Sequence, residues 1–235
     1  MKKRFMSWVL AGALALSCLI GAARAAPAAN NAAGSRSGVV RVIALRPDGY
    51  YALGSAFAVG EAGKETDVFV TNDHVIYDTY VGESGQVMAL PAVSVWILKS
   101  SIALNPVTGL DTSQAIPCEV LYAAETGYPD MAILRAAEPV PGRTALPLLA
   151  DESAVEVGDR VYALGYPGTS DEVEAGIYGE RTVAGVEDVT ITSGIVSRFT
   201  TAATFGNTRI IQHDATINHG NSGGPLFDSY GRVVG

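Results

Sequence analysis

From Gly38 onward, apolar residues fall in short runs or alternate with polar ones, and glycine and polar turns separate the runs. A period of two puts successive side chains on opposite faces of an extended chain, so the pattern predicts antiparallel β-structure. Strands are expected near 39–45, 51–59, 67–71, 93–98, 118–123 and 131–135, and again near 159–164, 189–198, 208–213, 223–227 and 231–235. No stretch carries the period of a long amphipathic helix; Asn72 to Tyr77 fits a single helical turn. Ser100 to Ile116, with Pro106 and Gly109, reads as an extended loop. Residues 139–150 hold Pro139, Pro141 and Pro147 and few strand formers, so they read as a linker between a unit at 38–138 and one at 151–235. The polar stretch from Tyr166-Pro167-Gly168 to about Asp188 reads as a solvated or functional loop.

Composition narrows the classes. With 235 residues, 48% hydrophobic and 17% charged, the chain can bury a sizeable core. Met1 to Ala25 has a basic start, an apolar run from about Trp8 to Ala23 and small residues at Ala23-Arg24-Ala25, the layout of an export signal cut after Ala25. An uncleaved anchor and a lipoprotein signal are the alternatives, but the run is short for a span and Ala15-Leu16-Ser17-Cys18 is a poor lipidation box. Residues 26–37 read as a flexible leader. The expected location is therefore extracellular or the cell envelope, periplasmic in a bacterium with two membranes. The formal charge of −8 includes Lys2, Lys3, Arg4 and Arg24; without these four of its 16 basic residues the chain has 12 against 24 acids, a balance that repels nucleic acid. Only Cys118 remains beyond the signal, so no intramolecular disulfide is expected, and two thiols are too few for a structural zinc site. A site of three histidines is formally open, but no metal or other cofactor is expected.

Candidate chemistry centres on Gly220-Asn221-Ser222-Gly223-Gly224-Pro225-Leu226. Glycines let neighbouring N–H groups converge and let a substrate carbonyl approach, although a plain surface turn would have the same composition. Bases are scarce: His74, His213 and His219 are the histidines. His74 follows the apolar run Val68-Phe69-Val70 at a strand end, whereas His213 and His219 are too near Ser222 in sequence to face it easily. Asp130 heads the apolar run Met131-Ala132-Ile133-Leu134, where a carboxylate could accept a histidine Nδ1–H and fix its tautomer.

Thr71-Asn72-Asp73-His74-Val75, Asp130-Met131-Ala132-Ile133-Leu134, Thr192-Ser193-Gly194-Ile195-Val196-Ser197 and Gln212 to Leu226 together resemble the chymotrypsin-fold serine proteases of bacterial type, nearest to the Deg/HtrA group. The order His74, Asp130, Ser222 is that of chymotrypsin. The resemblance implies an all-β fold of two six-stranded antiparallel Greek-key barrels; six strands are visible in the first half and five in the second. It further implies His74 as general base, Asp130 as its orienter, Ser222 as nucleophile, and the N–H groups of Gly220 and Ser222 as an oxyanion hole. Thr216, Ile217 and His219 would border a substrate pocket with no fixed acid, which argues against basic side chains at the cut. His219 stands where many such proteases carry proline, and Asn221 replaces the aspartate that pancreatic-type relatives pair with a new N-terminus. The expected substrate is a protein or peptide. The end at Gly235, within an apolar run, suggests a truncated second barrel and leaves room beyond for a membrane anchor or a peptide-binding module; oligomeric state is open. The alternatives to an active endopeptidase are a catalytically inactive, protease-like binding protein and an incomplete fragment.

Overall fold

A computed structural model describes the chain over residues 34–99, 102–105, 109–111, 113, 115–124, 129–168, 172–173, 181–183, 187–201 and 207–235. The signal at 1–25, most of the leader, and most of the loop at 169–188 lie outside these residues. The last leader residues belong to a 3-10 turn, Gly34–Gly38, in which Ser35 is buried and Arg36 Nη2 donates to the Glu187 carbonyl at 2.7 Å.

Six strands close into an antiparallel barrel in the order β1-β2-β3-β10-β9-β6: β1 (Val39–Leu45), β2 (Tyr51–Ala58), β3 (Val68–Thr71), β6 (Ser94–Leu98), β9 (Ala115–Ala123) and β10 (Ala132–Ala136). These are the six strands expected of the first half, within one to three residues at their ends. The alternation explains the closure. Val40, Val42, Ala44, Ala56, Ala58, Phe69, Ile97, Ala132 and Leu134 are wholly buried in its interior, and the many alanines leave room for Phe69 and Leu134 in so small a barrel.

Strand β1 is buried on both faces, which an ordinary barrel strand is not. Its odd positions point outward, yet Val39, Arg41 and Ile43 have no exposed surface. Val39 packs with Leu146, Leu164, Tyr166, Val189 and Phe227, so the outer face at the start of β1 is the floor on which the second half sits, whereas Ile43 packs on Leu98, Trp96 and Tyr51 of the first half.

The second half is a four-stranded sheet ordered β15-β14-β11-β16, made of β11 (Arg160–Gly165), β14 (Thr190–Thr201), β15 (Arg209–His213) and β16 (Leu226–Asp228). The expected strand at 231–235 is instead a return segment. Gly231 turns with a φ of 75°, Val233 forms isolated bridges to Leu148 and Phe227, and the Leu226 N–H donates to the Gly235 carbonyl at 2.6 Å.

Two features depart from the expected layout. Tyr77–Val81 (β4) and Val87–Pro91 (β5) form a hairpin about the Gly82 to Gln86 turn. Ser100 to Ile116 is not all loop: Ile102–Asn105 (β7) and Gly109–Leu110 (β8) pair with each other, and β7 also pairs with Arg181–Val183 (β13), which runs beside Glu172–Val173 (β12). Backbone donors and acceptors need partners, and here the second half supplies them. The segment 139–150 is packed as well: the Leu146 N–H donates to the Ala58 carbonyl at 3.0 Å, and the Val233 N–H to the Pro147 carbonyl at 2.8 Å.

Candidate active site

The turn after β3 is one helical turn, α1 (Asp73–Ile76). Val75 and Ile76 bury their side chains in the barrel core and so anchor it, leaving His74 exposed on the other side. Asn72 occupies the N-cap position but makes no capping bond. Its amide is engaged elsewhere: Nδ2 donates to the Asp130 carbonyl at 2.6 Å, and Oδ1 accepts from the Gly223 N–H at 2.6 Å.

The pairing of β10 with β3 sets Ala132 opposite Thr71, which brings the residue two before Ala132 beside the start of α1. Asp130 thereby meets His74 twice. Oδ1 accepts from the His74 backbone N–H at 3.1 Å, and Oδ2 lies 2.7 Å from Nδ1. An ionised carboxylate can only accept, so Nδ1 is the protonated ring nitrogen. The bond to Asp130 raises the His74 pKa; burial opposes it, the charges of Asp130 and Asp73 add to it, and Arg46 subtracts. Burial alone would raise the Asp130 pKa, but the side-chain and backbone bonds from His74 outweigh it and hold the carboxyl below its ordinary value.

Ser222 lies between β15 and β16 on a loop whose peptide groups can be followed one at a time. The His219 carbonyl accepts from Gly168 at 2.7 Å, the Gly220 carbonyl from Ser55 Oγ at 2.7 Å, the Asn221 carbonyl from Gly224 at 2.8 Å, and the Ser222 carbonyl from Ser55 N–H at 2.8 Å. The N–H groups of Asn221, Gly223 and Gly224 donate to Asn218, Asn72 and Asn221. Among the described residues, no acceptor meets the N–H of Gly220 or of Ser222. In a trans peptide the N–H points opposite the carbonyl, and the carbonyls of His219 and Asn221 are both tied down. Two uncommitted donors thus remain two residues apart. Gly220 has φ of 99° and a Cβ there would lie 2.3 Å from the Tyr166 carbonyl; at Gly223, φ is 83° and a Cβ would meet the Ser55 carbonyl at 2.2 Å. Only glycine fits either place.

Ser222, Asn72, Ala163, Leu164, His213 and Ile217 are among the residues around a cavity of about 250 Å³. Of the expected pocket residues, Ile217 lines it, while Thr216 and His219 lie outside its lining. His213 does line it, despite its short separation from Ser222, because residues 214–221 loop away from the end of β15 and return; its Nδ1 is buried with no hydrogen-bond partner among the described residues. Asp214 accepts from the Ile195 N–H at 2.6 Å, and a Cβ on Gly194 would lie 2.2 Å from that carboxylate, which accounts for the glycine in Thr192-Ser193-Gly194-Ile195. Cys118 stands apart on β9, its thiol pushed up to about 12 by burial, which makes it a poor nucleophile. Among the described residues no three His, Cys, Asp or Glu side chains group as ligands for a metal ion, and no helix is long and apolar enough to cross a membrane.

Residues 54–235 match the model of the trypsin-like peptidase domain. Over 187 residues, or 78% of its length, the chain is 32% identical to a protein of Brucella suis named "Probable periplasmic serine endoprotease DegP-like", of which it covers 27%. It is 37% identical over 108 residues to the "Magnetosome formation protease MamE" of Paramagnetospirillum magneticum, covering 45% of this chain and 12% of that one. The chain thus spans about a quarter or less of these relatives. Among solved structures, an HtrA-type protease, AlgW, with a tripeptide aligns over 86% of this chain and 51% of its own with a TM-score of 0.54 and 22% identity, a likeness of fold.

Proposed function

Since the chain belongs to the trypsin-like peptidase family, we propose that it is a serine endopeptidase that cleaves proteins or peptides through an acyl-enzyme. The observation that carries this reading is the pair of hydrogen bonds made by the Asn72 side chain, whose Nδ2 donates to the Asp130 carbonyl at 2.6 Å and whose Oδ1 accepts from the N–H of Gly223, the neighbour of Ser222, also at 2.6 Å. It supports the reading that His74, Asp130 and Ser222, remote in sequence, work together at one seam.

In this reading Asp130 holds Nδ1–H of His74, so Nε2 takes the hydroxyl proton as Ser222 attacks the amide carbonyl. The carbonyl oxygen becomes negative and is held by the N–H groups of Gly220 and Ser222, whose lack of other acceptors among the described residues supports this role. His74 then protonates the leaving amine, and water releases the acyl group. Ile217, with Thr216 and His219 nearby, would border the side chain before the cut; among the described residues the cavity lining contains no acid, which supports a preference for uncharged side chains.

The periplasmic description of relatives supports an exported protein with Met1 to Ala25 as its signal, so the mature chain should begin at Ala26 by intact mass. The two units would be 38–138 and 151–235, joined by 139–150. A fluorophosphonate probe tests the activity. It should label the chain at Ser222, and Ser222→Ala should remove both label and peptide hydrolysis, a loss on the order of 10⁶ in turnover by analogy with other serine proteases. A chain that takes no label is a protease-like binding protein or an incomplete fragment instead.

A further inference from the structure

Ser55, on β2 of the closed barrel, lies 165 positions from Gly220 and has no exposed surface. Its hydroxyl donates to the Gly220 carbonyl at 2.7 Å and accepts from the Tyr166 N–H at 3.0 Å, while its backbone N–H donates to the Ser222 carbonyl at 2.8 Å. One residue therefore grips the carbonyls of both amino acids whose N–H groups have no acceptor among the described residues. Its own carbonyl accepts from Thr71 Oγ1 at 2.7 Å, which ties the grip to the strand leading into α1. Tyr166 is held from its other side too: Arg41 Nη1, buried on β1, donates to its carbonyl at 2.6 Å. The space is closed around the hydroxyl, since a Cβ on Gly165 would come within 2.9 Å of it.

We propose that Ser55 is a positioning residue for the oxyanion hole: its hydroxyl sets the plane of the Gly220–Asn221 peptide and so aims the flanking N–H groups of Gly220 and Ser222 at the developing negative charge. This rests on the endopeptidase reading. The hydroxyl can do so because both its donor and its acceptor roles are used, which leaves it one orientation. An oxyanion hole acts only if its donors are already in place when charge develops, so a small tilt of one peptide costs rate without costing substrate affinity.

The test compares wild type, Ser55→Ala and Ser55→Thr in the full chain. Ser55→Ala should lower kcat by about 10- to 100-fold, the scale of a small misplacement at a reacting centre, with KM nearly unchanged. Affinity for a peptide boronic acid, which mimics the tetrahedral state, should fall by the same factor as kcat/KM. Affinity for the matching peptide alcohol, which forms no tetrahedral adduct, should hold. The downfield Nδ1–H proton signal of His74 should persist, showing that its bond to Asp130 survives. Ser55→Thr keeps the hydroxyl and should regain most of the rate if it folds. A kcat/KM for Ser55→Ala within about twofold of wild type overturns the proposal, and so does an equal loss of boronate and alcohol affinity, which would mark a merely structural role. If wild type itself takes no probe at Ser222, the endopeptidase reading fails and this inference with it; if wild type is labelled and only the Ser55 effects are absent, this inference fails alone.

Discussion

In the first half, β6 pairs with β1 and the sheet closes on itself; in the second, the described residues form four strands in the order β15-β14-β11-β16 with no such closure among them. His74 and Asp130 sit at adjoining strand ends of the closed barrel, where the register of β10 on β3 sets their approach and Asn72 adds a bond to the Asp130 carbonyl. The loop of Ser222 is held by its own half at its two ends, where the Gly168 N–H donates to the His219 carbonyl at 2.7 Å and the Leu164 N–H to the Pro225 carbonyl at 3.2 Å. Between those ends it takes shape from the other half, through Ser55 on the carbonyls of Gly220 and Ser222 and through Asn72 on the Gly223 N–H. The barrel is thus both the carrier of the base and the mould for the nucleophile's loop.

Three substitutions would break this contrast at different points. Asp130→Asn leaves the barrel whole but presents the wrong partner to Nδ1; kcat should fall about 10⁴-fold, measured by peptide hydrolysis, with the melting temperature little changed. Leu134→Ala hollows the barrel interior, where Leu134 is fully buried. It should cost about 2–5 kcal/mol in urea unfolding while the protein still folded keeps its specific activity. Asn72→Ala removes one link between the halves and leaves the Gly223 N–H and the Asp130 carbonyl without this partner. Its stability cost should be smaller, about 1–3 kcal/mol, but its kcat should fall well below that of Leu134→Ala. If Asn72→Ala loses stability and no activity, the seam is a strut and not a mould.

The barrel was legible because its strands alternate: in β10, Ala132, Leu134 and Ala136 are buried while Ile133 and Arg135 are not. The β4–β5 hairpin also left a signal, Gly82-Glu83-Ser84-Gly85 between two runs rich in strand formers, that periodicity over so few residues did not bring out. The pairing of β7 with β13 left none, since backbone hydrogen bonding between distant segments carries no local pattern. The same limit applies to the site. His74, Asp130 and Ser222 could be picked out because each stands at the head or tail of an apolar run, and His74 and Asp130 do lie 2.7 Å apart. Asn72 and Ser55 sit in ordinary strand-end and mid-strand contexts. Their importance lies in bonds to residues 151 and 165 positions away. His213 was set aside by sequence distance, a measure that a loop returning on itself defeats.

The smallest effect expected is also the one that reads the barrel's electrostatics most directly. The Asp130 bond raises His74 above the ordinary histidine value of 6.5, and a general base must be neutral to accept a proton. The kcat/KM profile should therefore rise with pH about a midpoint above 6.5, and in Asp130→Asn the residual activity should titrate at a lower pH. Stability runs the other way. A group whose folded pKa is raised contributes fully below its unfolded value and loses that contribution as pH climbs through the folded one; the depressed Asp130 contributes above its ordinary 3.8 and loses this as pH falls through its folded value. The pair stabilises most in the mildly acidic window between the two ordinary values, where the base is protonated and the enzyme idle. Urea midpoints of wild type and Asp130→Asn should thus differ most near pH 5 and converge as the pH passes the folded His74 value. A gap that widens toward alkaline pH would mean that the carboxylate steadies the barrel by some contact other than its bond to the imidazole.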